Sequence, residues 1–364
     1  MNVVITGIGL WTALGESAIA TWQRYCQGKT ALIATPDGLV GATTLPVEKI
    51  IATTTTQALN DAKLTPPLDS AGVVVGSSRG FQAQWETWLR QPSLSRQTWL
   101  QTLPATVSQQ VAQIAGTQGI VLNPTAACAT GLWAIAQGAL LIEQGYCDLV
   151  LAGGVESAVS PLTLAGFRQL GVLAQARAAP FDRQRQGFGL AAGGAIVVLE
   201  SEARARSRAV TPYARIAGVG LSADAEHMAA PSVQQTGALL AIQKALAQAG
   251  LTPHQIDCIH SHGTGTRRND AAEATWIQTL FGQGVAVTSH KGALGHTLGA
   301  AGAIAIALSC LSLRAQEIPP CVGCETPDFD LDIVQHSRTA PLGHILCCSY
   351  GFGGQNAVIV LAHP

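Results

Sequence analysis

Ile5-Thr6-Gly7-Ile8-Gly9-Leu10 returns about half the chain later as Ile216-Ala217-Gly218-Val219-Gly220-Leu221, each a short apolar strand ending in glycines. Further echoes follow in the same order. Leu64-Thr65-Pro66 before the strand Ala71 to Gly76 matches Leu251-Thr252-Pro253 before Ile256 to His260. Gly131 to Ala136 (GLWAIA) matches Gly302 to Ala307 (GAIAIA), and Ala195 to Leu199 (AIVVL) matches Ala357 to Leu361 (AVIVL). Any one match is open to chance, but an ordered series makes a duplicated α/β unit the economical reading. The two halves are expected at residues 1–205 and 206–364. The offsets differ, so loops of unequal length separate the shared elements.

Helices rich in Ala, Gly and Ser, and apolar on all sides, cannot face water. The two small-residue helices are therefore expected between sheets, giving a five-layered αβαβα sandwich. Val3 to Thr6, Gly72 to Val75, Leu149 to Ala152 and Ala195 to Leu199 are continuous apolar runs, which suits strands covered on both faces.

Composition narrows the function. The chain has 364 residues, 48% of them hydrophobic, which is ample for a core, and only 12% charged, with a formal net charge of −1. Nothing resembles the basic stripe that phosphate-backbone binding needs, so nucleic acid is not an expected partner. The opening MNVVITGIGL lacks the features of a secretory signal, and the apolar stretch Gly302 to Leu313 is short for a membrane span. A cytoplasmic protein is the expectation. Nine cysteines, an odd count, point to reduced thiols. Cys321 and Cys324 are spaced C-x-x-C, but no second pair or His-x-His run next to them completes a zinc site, and no metal is expected. Cys347 and Cys348 lie in a strand-like apolar run and read as core.

Three glycine-lined motifs carry chemistry. TAACATG places Cys128 after the extended stretch Gly119 to Thr125 and at the opening of a helix to about Gln144, where unpaired N–H groups and the helix dipole favour thiolate. Alone, Cys128 reads equally well as a small buried residue. HGTGT puts His262, Thr264 and Thr266 in the loop after the strand Asp257 to His260, before a polar turn (Arg267 to Asp270) and a helix begun near Ala271. Strand-end loops of open α/β sheets are where ligands bind. KGALGH puts Lys291 and His296 between the strand Val285 to Thr288 and a buried helix, where both are costly to bury unless paired or used; Glu273 is the natural carboxylate partner for Lys291. The glycine-rich Ser349 to Gly354 turn offers backbone N–H groups to an oxyanion.

Together with AGGVES (152–157), PFDRQRQGF (180–188), KGALGHTLGAAG and YGFGG, these motifs make almost the whole chain resemble a β-ketoacyl-acyl-carrier-protein synthase of the elongating Cys-His-His branch, in the thiolase-like superfamily. The resemblance implies a thiolase-like fold and an acyltransferase performing decarboxylative condensation in fatty-acid or polyketide chain elongation. It implies Cys128 as nucleophile, the N–H groups of Cys128 and Phe352 as oxyanion hole, and His262 and His296 acting on a malonyl thioester. Lys291 and Glu273 would orient the histidines, with Asp270 supporting the loop. Thr264 and Thr266 would hold the pantetheine arm, and Phe167 and Phe352 would line and gate the acyl pocket. No cofactor is implied beyond the phosphopantetheine arm that a carrier protein brings. The expected partners are an acyl carrier protein, acyl and malonyl thioesters, and a second synthase chain in a homodimer or heterodimer. Arg168, Arg267 and Arg268 are candidates for carrier docking.

The chain departs from that pattern at Ala192 and Gln186, where acidic residues are usual, at Arg267 and Arg268, and at Ser349-Tyr350 in place of Ser-Phe. These departures point to a specialised pathway. Two other readings compete: a non-condensing subunit that sets chain length in a heterodimer, which typically lacks the cysteine present here, and an acyltransferase that does not decarboxylate malonate.

Overall fold

A computed structural model describes residues 2–90, 99–230, 232 and 235–364. The strands are β1 (Val3–Thr12), β2 (Leu32–Thr35), β3 (Gly38–Gly41), β4 (Gly72–Gly76), β5 (Val121–Leu122), β6 (Leu149–Glu156), β7 (Gly193–Ser201) and β8 (Ala214–Ala223). They continue with β9 (Cys258–His260), β10 (Ala286–Thr288), β11 (Glu317–Ile318), β12 (Asp332–Ile333), β13 (Arg338–Thr339), β14 (His344–Gly351) and β15 (Gln355–Ala362). The described helices are α1 (Ala18–Cys26), α2 (Val47–Asp61), α3 (Gln82–Arg90), α4 (Thr106–Ala115), α5 (Thr130–Glu143) and α6 (Pro161–Gln169). After them come α7 (Glu202–Ser207), α8 (Thr236–Ala249), α9 (Arg267–Phe281), α10 (Lys291–Leu294) and α11 (Ala301–Ala315).

Eleven strands form one ladder in the order β12-β10-β9-β14-β15-β8-β1-β7-β6-β4-β5. From the β1/β8 junction outward, each side runs antiparallel, antiparallel, parallel, parallel, so the strands from 3–201 mirror those from 214–362, to which β12 adds one more parallel strand on the second side. The two runs meet through only Val3↔Ile216, Val4↔Arg215 and Ile5↔Ala214. Beyond that short seam they cover opposite sides of α5 and α11, which touch strands of both runs.

Strand alternation sorts side chains between layers. Ile345 and Cys347 of β14 join the central core with Val150 and Ala152 of β6. Leu149 and Leu151 instead face the outer core under α2 and α4, and Leu346 and Cys348 face the outer core under α8 and α9. The result is the expected five-layer arrangement.

The glycine echo has a packing cause. A Cβ on Gly9 would lie 1.8 Å from Thr54 O of α2, and one on Gly220 would lie 1.8 Å from Ala241 O of α8. Both strands run on through their glycines instead of ending there, because the glycines let an outer helix lie against the strand backbone. Gly131 and Gly302 perform the same service between the central helices: their Cβ positions fall 2.7 Å from Ala303 N and 2.9 Å from Leu132 N.

Two boundaries differ from expectation. Helix α9 starts at Arg267, so the residues read as a polar turn are its first turn. The helical stretch Leu298–Ala315 is long and apolar enough by composition to cross a membrane, but 89% of it is buried as the middle layer. Cys347 and Cys348 are core, as expected.

Replacing Gly9 or Gly220 with alanine should cost about 1–3 kcal/mol, because the added methyl overlaps helix backbone that cannot move alone. Gly284→Ala, with open space around it, should stay within ~0.5 kcal/mol. Urea unfolding of the variants checks the contrast.

Candidate active site

Cys128 sits in a tight turn, Ala127–Ala129, just ahead of α5, so the helix opens two residues later than its motif suggests. Ala127 has φ +47°, a left-handed conformation that costs a non-glycine residue about 1–3 kcal/mol. The turn is held from both sides. Ala126 N–H donates to Thr130 Oγ1 at 2.8 Å, and that hydroxyl donates to Ala127 O at 2.7 Å. From β14, Ser349 Oγ donates to Cys128 O at 3.0 Å. Gly351 has no room for a side chain, since a Cβ would lie 2.4 Å from Ala126 O.

The thiol opens onto a cavity of about 570 Å³ lined also by Phe167, Phe188, His262, Thr264, Thr266, His296 and Phe352. Burial pushes the thiol up to about 11, against the pull of the Lys291 and Arg79 charges and a hydrogen bond from the Phe352 N–H. The resting thiolate expected from the helix terminus is therefore not favoured. Desolvation outweighs the dipole, so the resting thiol keeps its proton.

His262 follows β9, and His296 follows α10. Their rings are 5.4 Å apart and nearly perpendicular. Burial first, and then the Lys291 charge, holds both well below the usual histidine range, so both are neutral imidazoles. The edge of Phe188 packs on His296 at 4.9 Å, and Phe188 meets Phe167 at 5.4 Å. Phe167 is carried by α6, whose start is capped by Ser160 followed by Pro161. The ring of Phe352 is 37% exposed and lies 6.3 Å from Phe167. Thr264 Oγ1 and Thr266 Oγ1 are 2.9 Å apart on the cavity wall.

The expected Lys291–Glu273 ion pair is not formed: Lys291 makes none among the described residues. The two instead bracket His262. Lys291 Nζ donates to His262 O and lies 3.5 Å from His262 Nδ1. Glu273 accepts the N–H groups of His262 at 2.8 Å and Gly263 at 2.6 Å, and Asn269 Nδ2 at 2.8 Å. Its oxygens are spent on the loop. Burial and the nearby Asp270 charge push Glu273 up to about 7, while burial brings Lys291 down to about 8. Asp270 accepts Phe181 N–H at 2.7 Å and Gly265 N–H at 3.1 Å, which fixes the same loop.

The remaining candidates divide. Arg267 and Arg268 line the cavity, whereas Arg168 is exposed and paired with Asp37 at 2.6 Å. Gln186 and Tyr350 line the cavity, with the Tyr350 ring 5.8 Å from His262, and Ala192 lies in an apolar core. Cys321 and Cys324 are buried thiols in a turn; among the described residues no group of three or more His, Cys, Asp or Glu side chains is placed to hold a metal.

Glu156 stands in none of the three glycine-lined motifs. It ends the apolar strand β6, is fully buried, and accepts Ser77 Oγ at 2.7 Å, Ser78 N–H at 2.9 Å, Arg79 N–H at 3.2 Å and Gly299 N–H at 3.2 Å. Its signal was a lone carboxylate closing an apolar run.

The chain matches the β-ketoacyl synthase N-terminal domain over residues 42–205 and the C-terminal domain over residues 213–325. It belongs to the β-ketoacyl synthase family. Family members are acyltransferases, and the fold is thiolase-like. The 3-oxoacyl-[acyl-carrier-protein] synthase 2 of Vibrio cholerae is 31% identical across 99% of this chain and 98% of its own length; that of Mycobacterium tuberculosis is 31% identical across 98% and 96%. Among solved structures, a chain of AntDE:AntF, a type II polyketide acyl-carrier protein in complex with its ketosynthase bound to the hexaketide, matches with TM-score 0.94 and 27% identity, covering 100% of this chain and 99% of that one. The ishigamide ketosynthase/chain length factor matches with TM-score 0.94 and 26% identity over the same shares.

Alkylation of resting Cys128 by iodoacetamide should keep accelerating well above neutral pH. Lys291→Ala removes a charge that stabilises the thiolate, so it should slow alkylation below about pH 8, where Lys291 is protonated, and the difference from wild type should shrink at higher pH as Lys291 loses its proton. Mass spectrometry of the Cys128 peptide against pH measures both.

Proposed function

We propose that this protein is an active 3-oxoacyl-[acyl-carrier-protein] synthase that condenses an acyl thioester with a malonyl thioester, releasing CO₂. The observation that carries this reading is the convergence of Cys128, His262 and His296 on one cavity, with the Phe352 N–H directed at the thiol. An acyl group passes from a carrier's phosphopantetheine thiol to Cys128, whose proton leaves with the departing thiol. The N–H groups of Cys128 and Phe352 are the oxyanion hole for that step. Thr264 and Thr266 hold the pantetheine arm of the incoming malonyl carrier. Loss of CO₂ leaves an enolate, and the neutral imidazoles of His262 and His296 stabilise it by N–H donation without becoming imidazolium. The enolate carbon attacks the acyl carbonyl, the bond to Cys128 Sγ breaks, and the thiolate takes up one proton. Lys291 and Glu273 orient His262 from its two sides. Phe167 lines the acyl pocket and Phe352 gates it.

The reading extends to partners. The acyl carrier protein docks at the mouth beside Arg267 and Arg268. A second copy or a related synthase pairs along the exposed edge strand β5, the last in the ladder. The neighbours described as ketosynthase/chain length factor complexes support a heterodimer in a polyketide-type pathway. The presence of Cys128 favours the condensing role within such a pair.

Incubation with acyl- and malonyl-carrier proteins should give a 3-oxoacyl product two carbons longer. Absence of that product, together with absence of acyl-Cys128 by mass spectrometry, rejects the reading. Cys128→Ala should abolish the acyl-enzyme. His296→Ala should still acylate Cys128 but lose at least ~100-fold in CO₂ release, followed with labelled malonyl thioester.

A further inference from the structure

His260 and His290 do not line the cavity, yet each adjoins a residue of the catalytic set: His260 precedes His262 by two positions, and His290 immediately precedes Lys291. Both rings are buried, and His260 Nε2 lies 2.9 Å from His290 Nδ1. On its other side, His260 Nδ1 lies 3.0 Å from Ser309 Oγ of α11, which accepts the Cys347 thiol of β14 at 3.2 Å.

The order of protons along this chain follows from counting donors. Ser309 Oγ accepts from Cys347, so its own proton finds an acceptor only at His260 Nδ1. His260 then donates from Nε2 to His290 Nδ1, and His290 carries its proton on Nε2, a buried group with no partner among the described residues. The reverse order leaves two groups unpaired, the Ser309 hydroxyl and the His290 Nε2 lone pair, and is the costlier arrangement.

The location gives the pair its consequence. Strands β9 and β10 are paired through three residues only, ending at Thr288↔His260. Past that point the two loops depend on cross-links: Ser261 N–H to Thr288 O at 3.0 Å, Ser289 Oγ to Gly263 O at 2.9 Å, and Lys291 Nζ to His262 O. The imidazole pair is the cross-link on the side of α11, and it holds the residue immediately before Lys291.

We propose that His260 and His290 are positioning residues, a neutral hydrogen-bonded pair that holds the Lys291 loop against the His262 loop and so keeps the Lys291 ammonium beside His262 Nδ1. The proposal rests on the decarboxylating role given above to His262. It predicts a larger loss in CO₂ release than in acylation, because Cys128, its turn and the Phe352 N–H lie outside the pair and sense Lys291 only through its charge.

The test measures acyl-Cys128 formation by mass spectrometry and CO₂ release from a malonyl thioester, with thermal unfolding alongside. His290→Phe keeps a ring but removes the acceptor. It should acylate within about twofold of wild type, and its kcat for CO₂ release should fall on the order of 10- to 100-fold, the range found when a partner that orients a working group is removed. KM should be nearly unchanged. His290→Gln, which can still accept from His260 Nε2, should recover most of the loss. Ser309→Ala is the milder variant that decides the matter if His290→Phe does not fold; it removes the donor that sets the proton order and should lower kcat for CO₂ release severalfold with acylation intact. Equal loss of both half-reactions, or wild-type CO₂ release in folded His290→Phe or Ser309→Ala, overturns the proposal. Failure of the wild-type protein to form acyl-Cys128 or release CO₂ would instead count against the parent reading.

Discussion

The site depends on how closely two buried helices approach. Gly131 of α5 and Gly302 of α11 lie against each other's backbone, and each stands near the start of its helix. Cys128 is three residues before the first glycine and His296 six before the second. A crossing at the helix starts therefore delivers both groups to one place, whereas a crossing at the middles would hold the starts apart. Larger side chains at the contact would separate the helices, and with them Cys128 from His296.

Burial that permits the crossing also sets the protonation states. In so dry a cavity, imidazolium and free thiolate are both penalised, so the resting site holds neutral His262, neutral His296 and a protonated thiol. A buried cation, Lys291, is placed at the back of His262. There it depresses the imidazole further and favours a negative charge developing in the cavity. A site so arranged suits chemistry that creates transient anions, an oxyanion and an enolate, better than chemistry that relies on a standing general acid.

Much of this was legible in residues that repeat. The glycine pairs at 7/9 and 218/220 and the small-residue helices carried the layering, because the requirement for a missing Cβ is written directly in the sequence. Cys128, His262 and His296 were legible because each follows a strand or opens a helix within a glycine-lined motif. Side-chain pairing was not. Lys291 and Glu273 have opposite charges and suggest an ion pair, but the carboxylate is claimed by two adjacent N–H groups that no residue code displays. The state of Cys128 is hidden for a similar reason, since a helix terminus is visible in sequence and the depth of burial is not. His260 and His290 carry no signal in the sequence because their significance is a contact between segments.

The duplicated plan reaches further into the site than its histidines suggest. After β4, the N–H groups of Ser78 and Arg79 are received by the buried carboxylate of Glu156; after β9, those of His262 and Gly263 are received by the buried carboxylate of Glu273. The strands β4 and β9 hold mirrored places in the ladder, so one device closes the same strand-end loop on both sides. Only the second loop carries a histidine, and only there does the carboxylate act beside a lysine. Glu156 instead also binds Gly299 N–H, in the turn that follows His296. The first carboxylate thus braces the segment of His296 and the second braces the segment of His262. An equivalent pair of loop anchors has been divided between two imidazoles that meet at a single cavity.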